Sequence, residues 1–154
     1  MQVQPHRFFS IRPFLLAAAL CALAGSALAQ ATPVGLWRTI DDETKTEKSL
    51  VRITDNAGVL SGKIEKLADP TKANAVCEKC TDERKDQPVV GMMILRNVRA
   101  SDPGVWEGGE ILDPNNGKNY RVKLRPIDGG KQLEVRGYIG VPMLGRTQTW
   151  IRVE

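Results

Sequence analysis

The stretch KSLVRITDNAGVLSGKIEKL, residues 48–67, decides the fold. Successive side chains of a strand point to opposite faces, so Val51 and Ile53 face one way and Leu50 and Arg52 the other. This period of two marks residues 48–54 as a strand. Asp55, Asn56, Ala57 and Gly58 supply the turn, and residues 59–67 return as the second strand of a hairpin.

The same rhythm runs outward in both directions. Residues 35–40 read as a first strand and 41–46 as a polar turn. Residues 68–88 break the pattern with Asp69-Pro70, two cysteines and a charged run, and are expected to form an exposed loop. Residues 89–98 are apolar on both faces and are expected to form a central strand. Turns at 101–104, 113–118 and 128–130 and a loop at 140–145 then separate strands at 105–112, 119–126, 132–139 and 146–153. Eight short strands with no long helix are the pattern of a sandwich or a barrel. At this size an up-and-down antiparallel sheet can close, remove its edges and hold one small ligand, so an all-β eight-stranded barrel is expected.

The first 29 residues read differently. Arg7 and Arg12 precede an apolar stretch over residues 13–24, and Ala27-Leu28-Ala29 forms a small-residue cleavage site. That is the pattern of a secretory signal, too short for a membrane span. The expectation is a removed segment 1–29, a single domain over 30–154, a periplasmic or secreted location, and no stable membrane anchor after cleavage. Cleavage would lower Lys plus Arg from 22 to 20 against 18 Asp plus Glu. The remaining charge is close to balanced and unclustered, so nucleic acid is not an expected partner.

Cleavage would also remove Cys21 and the one histidine, His6. The remaining chain then has no Ser-His or Cys-His nucleophile, and no catalytic residue is assigned. Cys77 and Cys80, spaced C-x-x-C, are expected to form a local disulfide in an oxidising compartment. A thiol redox role is the rival reading. Zinc lacks ligands and no metal is expected; no cofactor is expected either. Asp113 to Gly117 has the wrong register for a calcium loop and reads as a turn. Glu107 and Glu110 fall on opposite faces of a regular strand, unless Gly108-Gly109 introduces a bulge.

The blocks Gly35-Leu36-Trp37-Arg38-Thr39, Ser61-Gly62-Lys63-Ile64, Val90-Gly91-Met92, Trp106-Glu107-Gly108-Gly109, Asp113 to Tyr120, Val135-Arg136-Gly137-Tyr138 and Leu144 to Arg152 resemble, in this order, the bacterial secreted family DUF2147. The resemblance implies a lipocalin-like barrel and brings no established activity. The chain ends also look like a lipocalin: Gly35-x-Trp37 on the first strand and Arg152 on the last match the pair that closes one end of such barrels. Gly35, Trp37 and Arg152 are accordingly assigned structural roles.

Alternation places Trp106 and Glu110 on one face, Arg136 and Tyr138 on another, and Arg146, Gln148, Trp150 and Arg152 on a third. If these faces point inward, Trp106, Glu110, Arg136, Tyr138 and Trp150 line a pocket for an amphipathic or hydrophobic small molecule. The expected function is an exported binding protein. An envelope interaction module with a protein partner is the alternative.

Overall fold

The computed structural model describes residues 31–154; the signal segment expected at 1–29 lies outside the described residues. The strands are β1 (Gly35–Ile40), β2 (Glu47–Asn56), β3 (Val59–Leu67), β4 (Met93–Ala100), β5 (Trp106–Asp113), β6 (Lys118–Ile127), β7 (Gln132–Tyr138) and β8 (Arg146–Arg152). They form one closed barrel in chain order. Each pairs antiparallel with its neighbour, and β1 with β8. The eight-stranded all-β barrel is therefore what the chain adopts.

Hairpins alternate between the two ends. One end, the floor, gathers the start of β1, the end of β8 and the tight turns after β2, β4 and β6. The other end, the mouth, carries the connections after β1, β3, β5 and β7. Between them, inward-facing Val51, Ile53, Leu60, Leu95, Val122, Leu124, Leu133 and Val135 are buried in one apolar cluster. Each such side chain contributes roughly 1.5–3 kcal/mol by leaving water. Two open hollows of about 340 and 270 Å³ lie on the outer surface, not in the lumen.

The β1–β8 ladder comprises two residue pairs, Trp37 with Arg152 and Arg38 with Ile151, and Leu36 extends it toward the floor through hydrogen bonds with Val153 and Glu154. Beyond them, toward the mouth, the closure is made by side chains: the Arg146 guanidinium on β8 meets Asp42 and Glu43 in the β1–β2 loop.

Residues 68–88 form the loop expected of them, and most of it is exposed, but Cys77, Cys80 and Arg84 are buried. Cys77 is 0% and Cys80 2% exposed, and they join Val89, Ile94 and Leu112 in the buried apolar cluster. Leu95 pairs with Ile111 inside the barrel, so Ile94 and Leu112 share the outer face. The segment is thus a flap folded over the outside of β4 and β5. That cover explains why this strand is apolar on both faces, and why it begins at Met93: residues 89–92 belong to the flap, with Val89 N donating to Ala75 O at 2.9 Å.

Cys77 and Cys80 form a disulfide. Arg84, 4% exposed, anchors the flap: it donates to Asp82, to the Met93 carbonyl at 3.2 Å and to Asn119 Oδ1 at 2.7 Å. Hydrogen bonding from Arg84 holds the Asp82 carboxyl well below the usual carboxylate range. The Asp113–Gly117 stretch is a turn that touches this flap. Gly117 has φ +71°, and a Cβ there would overlap the Lys79 carbonyl.

Candidate ligand-binding site

At the floor, Trp37 Nε1 donates to Pro33 O at 2.7 Å, and the Arg152 guanidinium carbon lies 4.1 Å from the centroid of the Trp37 ring. Arg152 also donates to the carbonyls of Gly130, Val34 and Thr32. Gly35, at φ +142°, makes room: a Cβ would overlap Glu154 O and crowd Arg152. This end is sealed.

The five pocket candidates do not come together. Trp106 pairs with Leu124 and faces inward near the floor. Trp150 pairs with buried Leu133 and is itself buried, its Nε1 donating to Gln148 Oε1 at 3.1 Å. Glu110 pairs with Arg121, and Arg121 with Tyr138, on the outer face. Arg136, paired with Lys123 and Thr147, is outside as well. The cause for Glu110 is a bulge: between Trp106 and Gly109 the register shifts, with Gly108 at φ +82° as the extra residue. One inserted residue reverses the phase of everything after it. Glu107 and Glu110 consequently share the outer face, where Glu107 meets Lys123 at 3.6 Å.

Besides Trp106 at the floor, inward side chains with partial exposure sit at the mouth. Ile111, Tyr120 and Gln148 are half-buried there. Tyr120 Oη accepts from Asn116 Nδ2 at 3.0 Å on the rim. Thr39 Oγ1 and Ser49 Oγ, 2.9 Å apart, add a hydroxyl pair. Gly137 leaves space beside the Tyr120 ring, since a Cβ there would meet the Tyr120 side chain at 3.5 Å. Arg146 closes the edge, and its hydrogen bond lowers the Asp42 carboxyl below its ordinary value. Alternation had placed Gln148 and Arg146 on one face; Thr39, Ser49 and Tyr120 gave no sign of belonging with them, because strand position along the barrel axis is not written in periodicity.

Among the described residues no group of three or more His, Cys, Asp or Glu side chains is placed to hold a metal ion. The arrangement offers no nucleophile paired with a base. What it offers is an aromatic ring, an amide, two hydroxyls and a guanidinium at the mouth end of the barrel.

The family described as an uncharacterized protein conserved in bacteria, DUF2147, matches residues 35–152. The chain belongs to that family. Among solved structures this DUF2147 protein resembles protein HP1028 from the human pathogen Helicobacter pylori, described as belonging to the lipocalin family. The TM-score is 0.70 at 20% identity, over 80% of this chain and 84% of that one. The likeness establishes the lipocalin-like fold of this DUF2147 chain. No curated protein matches it.

Proposed function

We propose that this DUF2147 protein is an exported binding protein that takes a small amphipathic molecule at the mouth of its barrel, above a floor filled by its own side chains. The observation that carries this reading is the set of inward-facing groups gathered at the mouth. The floor is sealed by Trp37, Arg152 and Trp150, whereas Ile111, Tyr120 and Gln148 stay partly open to solvent at the mouth. Convergent polar groups on an apolar base are what orient small ligands. Export rests on the signal pattern of residues 1–29, with a disulfide and a bacterial family compatible with a periplasmic or secreted site.

Two measurements test the proposal. Native mass spectrometry of periplasmically expressed protein, followed by denaturing mass, should reveal cleavage after Ala29 and a retained small molecule. Titration with anilinonaphthalene sulfonate as an amphipathic probe should show binding that weakens about tenfold in Tyr120→Ala or Gln148→Ala and is unchanged in Glu110→Gln. Equal binding by all three variants would overturn the mouth as the site.

A second reading, an envelope interaction module, is favoured by the filled lumen, because a solid barrel serves as a scaffold for its loops. Pulldown of a partner by a ligand-free protein would support it. The burial of both cysteines speaks against a thiol redox role, since an attacking thiolate needs access.

A further inference from the structure

The β7–β8 connection presents four apolar side chains to solvent: Ile139 at 61%, Val141 at 53%, Met143 at 89% and Leu144 at 81% exposure. Chance exposure of single apolar residues is common, but four within six positions on one protruding loop form a patch. The loop is not slack. Arg136 on β7 donates to Pro142 O at 2.8 Å, to Met143 O at 3.3 Å and to Thr147 Oγ1 at 2.7 Å. Leu144 N donates to Val141 O and Gly145 N to Pro142 O. The carbonyls of residues 141–143 are therefore all paired within the protein, and Pro142 has no N–H to satisfy.

That pairing separates this loop from an ordinary surface turn. Backbone groups entering a hydrocarbon layer must be satisfied internally, because no water is there to do it. The carbonyls of Val141, Pro142 and Met143 already meet this condition. At the base of the loop Arg136 forms no ion pair with a carboxylate among the described residues, and the nearby Asp42 and Glu43 are held by Arg146.

We propose that the 139–144 loop is an interfacial contact site that dips Met143 and Leu144 into a lipid surface, with Arg136 facing the phosphate headgroups. Such a contact is peripheral and reversible. It does not depend on whether the mouth holds a ligand, since the tip side chains are separate from Tyr120 and Gln148.

The test is co-sedimentation of the mature chain with vesicles of phosphatidylcholine, alone and with added phosphatidylglycerol. Binding is expected to both, stronger with the anionic lipid and reduced by salt, and the Met143→Asp/Leu144→Asp double variant should lower the bound fraction about tenfold or more. Leu144→Trp supplies a second readout that leaves the fold intact: the emission of the introduced indole, taken as the difference from the parent chain, should shift to the blue on vesicle addition. Failure to bind either vesicle, binding unaffected by the double variant, an unshifted emission from the introduced indole, or a loop-dependent dimer that ignores vesicles would each overturn the proposal. A failed probe titration at the mouth, with vesicle binding intact, would remove the small-ligand reading and leave this one standing.

Discussion

Arg152, on the last strand, stacks on the Trp37 ring of the first, 4.1 Å from its centroid, while its nitrogens reach the carbonyls of Thr32, Val34 and Gly130. One guanidinium thus closes the floor and ties down the segment leading into β1. The cation over the indole contributes roughly 0.5–2 kcal/mol and the hydrogen bonds add to it. Arg152→Ala should destabilise by about 2–4 kcal/mol. Arg152→Lys should recover only part, because an ammonium cannot span three carbonyls and a ring. Urea unfolding followed by tryptophan fluorescence reads both.

Gly117 lies where the β5–β6 turn meets the flap. A methyl group there would overlap the Lys79 carbonyl and also penalise φ +71°. Gly117→Ala should lift the flap, costing about 2 kcal/mol or more. Hydrogen exchange should show lost protection at Cys77 N and Cys80 N while the barrel strands keep theirs.

The Cys77–Cys80 disulfide closes a very short loop, so its entropic contribution is about 2 kcal/mol. Cys77→Ala/Cys80→Ala should lower stability by roughly that amount plus the lost packing of two buried side chains. Because both cysteines are buried, reduction requires the flap to open first. Reduction by dithiothreitol in native buffer should be on the order of a hundredfold slower than in an isolated peptide with the same four residues. Equal rates would mean the flap is open in solution.

Acid should loosen the same flap. Hydrogen bonding from Arg84 lowers the Asp82 carboxyl from its ordinary value of 3.8. A group whose folded value is depressed stabilises fully above its unfolded value, and that stability is lost as pH falls through the folded one. The difference in urea midpoint between the native chain and Asp82→Asn should hold steady from neutral pH to about 5 and shrink below about 4. A difference that grows on acidification would contradict the Arg84 anchor.

The strand plan was legible because period-two patterning and turn chemistry act locally: the 48–67 hairpin and the Gly35, Trp37 and Arg152 floor can be read from neighbouring residues. The placement of Glu110 was not, because it depends on whether Gly108 is inserted into the ladder, and a glycine pair is compatible with either phase. The flap's buried anchor was not legible for a related reason. Its charges marked it as exposed, yet Arg84 is buried against Asp82 and Asn119, a partnership across 35 positions of sequence that no local pattern records. Arg136 was read as a pocket residue from alternation with Tyr138. The alternation holds, and the face is the outer one, because inside and outside differ by a single step of register.

Seven of the eight strand pairings join neighbours along the chain, and the eighth joins the first strand to the last through two residue pairs. Folding order follows from this. Local hairpins can assemble early, but the loop that brings β1 to β8 spans nearly the whole domain and closes late. Until residues 151–154 are available, with Leu36 N and O waiting for Glu154 O and Val153 N, β1 stands as an open edge able to pair with another chain. A truncation that removes only these four residues would therefore be felt as aggregation during biogenesis as well as a loss of native stability.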